Sequence, residues 1–133
     1  MTRTHQDIVS DLIRQELDLY GFDDVGIYIG QLPDSEVDLI VGVQVKEGAA
    51  SDLIAYDFPE VEIIVRAKDA RAAELVAELL HYRLHRREYL LDEESCRRLW
   101  SVMSMGSPQQ RQVLSKRPRY EWQIRFRSMM SRT

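Results

Sequence analysis

Residues 37–45 alternate in a pattern that only a strand can use. Val37, Leu39, Val41, Val43 and Val45 fall on one face, and Asp38, Ile40, Gly42 and Gln44 on the other. A period of two predicts a half-buried strand with one face on a core. A helix would scatter these valines around its axis. The chain must therefore build a sheet, and other apolar elements must cover one side of it.

Two helices are predicted to do so. Over residues 4–20, Ile8, Val9, Leu12, Ile13, Leu17 and Tyr20 share one face at helical spacing. Thr4 with Asp7 three residues on resembles a capping box with aspartate in the glutamate position. Gly21 suits the position just past the helix end. A second helix starts after Asp69, with Ala72, Leu75, Val76, Leu79, Leu80 and Leu84 as its expected buried stripe.

Further strands are predicted around Val25, Ile27 and Ile29, and over residues 59–67, where Val61, Ile63 and Val65 alternate with Glu60, Glu62 and Arg66. Residues 97–105 read as a less regular strand. Residues 120–129 read as a clean one, with Trp122, Ile124 and Phe126 opposite Gln123, Arg125 and Arg127. The expected order is α-β-β-β-α-β-β. That is an α+β fold: a mostly antiparallel or mixed sheet of four to five strands with two amphipathic helices packed on it. The expected core is Leu39, Val41, Val43, Val61, Ile63, Val65, Leu75, Leu79, Trp122, Ile124 and Phe126.

Two segments break the pattern. Residues 46–57 read as a loop, either mobile or a partner contact. Residues 106–119 read as a long loop or an extended hairpin, polar, basic and bounded by Pro108 and Pro118.

At 133 residues, one domain covering residues 1–133 is expected. No apolar run approaches the roughly 20 residues of a membrane helix. The first residues lack the apolar stretch of a secretory signal. The one cysteine, Cys96, allows no internal disulfide, which fits a reducing cytoplasm.

The net charge of −4 hides an asymmetry. Residues 1–65 hold 14 acids and three bases, whereas residues 66–133 hold eight acids and 15 bases. Such halves either neutralise each other within the fold or meet oppositely charged partners. The acidic sequence pI, near 5.4, argues against a dedicated DNA-binding domain.

Catalytic signatures are missing. His81 and His85 stand four apart on the second helix, a spacing that can hold a metal, with Glu88 or Asp92 to complete a site. Tyr82 follows the first histidine where zinc proteases carry glutamate, so a structural pair is the expected role. No phosphate loop or nucleophile elbow is present, and Cys96 has no catalytic surroundings. No enzymatic activity, cofactor or metal is expected. The candidate site is an interface. Arg111, Lys116, Arg117 and Arg119 form the strongest basic cluster, suited to a phosphate or, more favourably, to an acidic protein surface. Asp52 and Asp57 are the expected counterparts, beside Leu53 and Ile54.

Several segments together resemble the tail terminator and minor capsid (tail-completion) family of long-tailed bacteriophages. They are the first helix, the Leu32-Pro33-Asp34-Ser35 turn, the run Pro59-Glu60-Val61-Glu62-Ile63-Ile64-Val65-Arg66-Ala67-Lys68-Asp69 into an alanine-rich helix ending Leu84-His85, and the closing Arg119-Tyr120-Glu121-Trp122-Gln123-Ile124-Arg125-Phe126. Arg86-Arg87 stand where that family often has glycine. The resemblance implies a virion protein of the tail and neck, assembled in the bacterial cytoplasm. It would form a head-to-tail homo-oligomeric ring, a hexamer, at the head-proximal end of the tail tube. Its partners would be the tail tube protein and a head-completion or connector protein, with DNA passing through the lumen without sequence-specific binding. The alternatives are a head-completion or connector ring protein and, from another class, a small nucleic-acid-binding or regulatory module.

Overall fold

In a computed structural model the protein is described at residues 4–22, 24–30, 32, 39–50, 56–85, 87–92, 97–112 and 119–131. The elements are α1 (His5–Leu19), β1 (Gly26–Ile29), β2 (Leu39–Ala50), β3 (Tyr56–Ala67), α2 (Ala70–Leu84), β4 (Arg87–Asp92), β5 (Arg97–Ser104), β6 (Gln109–Gln112) and β7 (Tyr120–Ser131). The expected α-β-β-β-α-β-β order holds, with β4 and β6 as two additional short strands.

The strands form one mixed sheet, ordered β1-β2-β3-β7-β5-β4, with β6 also paired to β7. β1 runs parallel to β2, and every other pairing is antiparallel. Both helices lie on one face, over Val41, Val43, Val61, Ile63, Val65, Ile124 and Phe126. The alternation in the sequence therefore becomes a single core between helices and sheet.

α1 forms as the sequence directs. The Thr4 backbone N–H donates to the Asp7 carboxylate at 2.9 Å, and the Asp7 N–H donates back to Thr4 Oγ1 at 3.2 Å. These bonds satisfy backbone groups that the first turn leaves open. At the other end Gly21 takes φ 81°, a left-handed conformation that costs glycine little. Its N–H donates to Asp18 O, and the Phe22 N–H reaches Leu17 O at 2.9 Å. The two bonds together close the helix.

The loop expected over residues 46–57 is corrected: β2 runs on to Ala50 and β3 begins at Tyr56, leaving only 51–55 outside the described residues. What breaks the alternation is a bulge. Lys46 pairs Glu60 and Ala49 pairs Phe58, so Glu47 and Gly48 together oppose Pro59. Proline has no N–H to donate inside a central strand, and the bulge falls where that donor is missing. The Pro59 carbonyl accepts from Ser128 Oγ at 2.8 Å. A second register shift, between Leu99 and Ser101, accounts for the irregular look of β5.

α2 is rotated from the expected phase. Ala73, Val76, Ala77, Leu80 and Leu84 are buried, while Leu75 is 44% exposed. Spacing of 3, 4, 7 and 11 from Ala73 defines the buried stripe, and Leu75 falls outside it. The small alanines let α2 approach the sheet. Leu39, Leu79 and Trp122 are half-buried at the core's margin.

Candidate functional site

Backbone pairing locates the candidate interface residues. Arg111 lies in β6 and pairs Glu121 of β7 in register, and Arg119 immediately precedes β7. These two come together at one end of the sheet. Asp57 pairs Ala50 and Met130 at the other end. Nine residues of β3 separate its register position from Arg66, the partner of Glu121, which is about 30 Å along the strand. Asp52, Leu53, Ile54, Lys116 and Arg117 lie outside the described residues. An Arg111–Asp57 contact within one copy is therefore ruled out by distance.

The 106–119 segment resolves in favour of the extended hairpin over residues 109–112, with Gln109 opposite Gln123 and Gln112 opposite Tyr120. Arg111 is exposed yet engaged: its Nη1 lies 3.6 Å from the Glu121 carboxylate, which also accepts from Arg66 Nε at 2.9 Å. Glu121 is buried and holds both guanidinium groups.

The sheet face away from the helices carries further cross-strand pairs. Lys46 donates to Glu62, and Arg125 to Glu60, each at 3.3 Å. Opposite charges on adjacent strands support the register. Exposed pairs of this kind contribute about 0–1 kcal/mol each, so they specify pairing more than they stabilise it. Part of the charge asymmetry is thus neutralised inside the fold.

One pair joins the two helices. Arg83 Nε donates to Glu16 Oε2 at 2.8 Å, and Glu16 is 1% exposed. The Arg83 guanidinium sits 5.6 Å above the centre of the Tyr20 ring. The hydrogen bond to Glu16, that carboxylate's charge and the neighbouring tyrosines Tyr20 and Tyr82 hold Arg83 above the ordinary guanidinium range. Sequence reasoning missed this link. Its signal was an acid, Glu16, set between Ile13 and Leu17 on the apolar face.

The two histidines hold Ser104. His81 Nε2 lies 2.8 Å from Ser104 Oγ, and the Ser104 backbone N–H donates to His85 Nδ1 at 3.0 Å. Ser104 Oγ also donates to Gly106 O and accepts the Gly106 N–H. The hydroxyl therefore accepts from His81, which places that ring's proton on Nε2. The rings stack 6.0 Å apart. One nitrogen of each imidazole is taken by the β5 terminus, so the pair anchors α2 to the sheet. Among the described residues no three His, Cys, Asp or Glu side chains are grouped to hold a metal ion. Cys96 lies outside them. A shallow depression lined by Met105, Gln109, Gln123 and Arg125 brings no acid–base pair together. Among the described residues no helix is long and apolar enough to cross a membrane.

This geometry defines an α+β protein whose described ion pairs link strand to strand and helix to helix, with Ser10 Oγ buried without a hydrogen-bond partner among the described residues, and whose open features are surfaces. A family model described as Bacteriophage tail terminator protein matches residues 9–129. The chain belongs to the bacteriophage tail terminator family and is a structural protein of the phage tail. No curated protein matches it significantly.

Proposed function

We propose that this protein forms a ring at the head-proximal end of the phage tail tube, where it stops tube growth and joins the tail to the head. The observation that carries the reading is the family match over residues 9–129. The ring is a head-to-tail homo-hexamer. It contacts the tail tube protein on one side and a head-completion or connector protein on the other, and DNA passes through its lumen without sequence-specific contacts. It catalyses no reaction and needs no cofactor.

Ring closure requires a heterologous interface, one surface of a copy meeting a different surface of the next. A chain with an acidic first half and a basic second half suits that joint, because unlike surfaces attract and like surfaces repel. The basic residues Arg111, Lys116, Arg117 and Arg119 form one side, and residues 52–57 with Asp52, Leu53, Ile54 and Asp57 supply contacts to neighbours or neck partners. The experiment is electron microscopy of tails assembled with and without the protein. Tails of uniform length capped by a ring support the reading. Unregulated tube length in both preparations contradicts it.

A further inference from the structure

Two open apolar patches lie on opposite sides of the molecule. One is on α2, where Leu75 is 44% and Tyr82 78% exposed. They stand seven residues apart, so they share one outward stripe about 10 Å long. The other is on the sheet face away from the helices, where Met103 is 44% and Met105 40% exposed. Met103 pairs Arg127 in register, and the Met105 N–H donates to Arg125 O at 2.9 Å. Leu32 closes over that face at Gly42 of β2, whereas the methionines at the β5–β7 end stay open.

The sheet patch is suited to a tyrosine. Beside the methionines lies the shallow depression lined by Met105, Gly106, Gln109, Gln123 and Arg125. Gln109 and Gln123 stand opposite each other on β6 and β7, and neither side-chain amide has a hydrogen-bond partner among the described residues. A phenol ring packs on the methionine sulfur and carbons and offers its hydroxyl to such amides. The charges agree. Glu74 and Glu78 border Leu75 against one base, Arg71, and Arg127 is exposed beside Met103. Glu74, Glu78 and Arg127 form no ion pair among the described residues; Glu60, the register partner of Arg127, is taken by Arg125. The lengths agree as well. From Arg127 to Gln123 is four residues of β7, about 13 Å, close to the span from Leu75 to Tyr82.

We propose that α2 of one copy packs on the open sheet face of the next, with Tyr82 in the depression beside Met105, Leu75 on Met103, and Glu78 facing Arg127. This contact rests on the ring reading and gives it a specific joint. Arg111 lies on the same sheet face, two residues along β6 from Gln109, so the joint adjoins the basic side of the ring contact. Burial of Tyr82, Leu75 and the methionines supplies affinity, and the charge pair fixes the register. Because the two surfaces differ and lie on opposite sides of each copy, the contact repeats head to tail and closes as a ring.

The test uses full-length proteins: wild type, a helix-face variant Tyr82→Asp, a sheet-face variant Met105→Asp, and the swap Glu78→Arg with Arg127→Glu, made singly and together. Oligomer mass is measured by light scattering, and circular dichroism confirms the fold of each. Leu75→Ser or Met103→Ser replaces a face variant that melts early. The contact predicts a wild-type ring, with self-association weakened about thirtyfold or more in each face variant. It predicts that an equimolar mixture of the two face variants forms a dimer and no ring, since only one intact joint remains per pair. Each single charge reversal loosens the joint by about two- to fivefold, and the double swap restores it. A ring that survives either face variant, face variants that fail to pair when mixed, or a double swap no tighter than the single reversals overturns the contact and leaves the ring reading standing. So does a face variant whose ring is intact but which no longer binds tail tubes, for that face then meets the tube. A wild-type protein that stays monomeric at every concentration overturns both.

Discussion

Ser104 shows how one small side chain organises a junction. Its hydroxyl bonds His81 and both backbone groups of Gly106, while its own N–H bonds His85. Ser104→Ala removes the hydroxyl and leaves the His81 N–H and the Gly106 groups to find water. A loss of about 1–3 kcal/mol is expected in chemical denaturation. His85→Phe deletes the acceptor for a part-buried N–H and is expected to destabilise in the same range. Metal content measured in the wild-type protein checks the structural role of the pair. Stoichiometric zinc, lost in His81→Ala, contradicts it.

Gly42 is a second such position. A Cβ there meets the Leu32 side chain at 2.9 Å. Gly42→Ala must displace Leu32 from the outer sheet face and is expected to lower the melting temperature. An unchanged melting temperature contradicts that close approach.

At the scale of elements, the phase of α2 makes a sharp contrast. Leu80 is fully buried, and Leu80→Ala should cost about 2–5 kcal/mol. Leu75 is exposed, and Leu75→Ala should change stability by less than about 0.5 kcal/mol. Denaturant titration of both variants checks the contrast, and equal losses contradict the rotation of the helix.

The reasons α2 was misphased while α1 was read correctly are physical. In α1 Ile8, Val9, Leu12, Ile13 and Leu17 all lie on the inward face as expected, and Tyr20 at the helix end, expected there too, is 50% exposed. In α2 the helix buries alanines 73 and 77 for close approach and leaves a leucine outside, so hydrophobicity alone points slightly off-axis. The central strands were legible because one face is buried and the other charged. β6 was not assigned, because Gln-Gln-Arg-Gln has no apolar residue to carry a period. It is a strand by backbone pairing to β7. β4 lacks alternation at Leu90-Leu91, and the 46–57 segment hid a bulge opposite Pro59. Of the candidate interface, the basic cluster was legible as charge. The internal engagement of Arg111 by Glu121 was not, because it depends on strand register.

For the whole molecule, the charge asymmetry has two fates. Glu16 and Glu60 of the first half are neutralised by Arg83 and Arg125 of the second. At the surface of α1 and on β6, Asp18 pairs with Arg14 and Arg111 with Glu121, so what is proposed to steer neighbours there is the net charge of each half rather than unpaired groups. Reversing Arg117 and Arg119 to glutamate is therefore expected to weaken ring formation, most strongly at low ionic strength, where screening is least. Sedimentation over a salt series checks this. Assembly unchanged at both low and high salt would remove the electrostatic contact.

The central claim is that a member of the tail terminator family with this fold closes into a ring. Electron microscopy of the purified full-length protein tests it most directly. Closed rings with an open centre, six copies in each, are the expected result. A population of monomers or two-fold dimers at all concentrations, in the presence of tail tubes as in their absence, would contradict it.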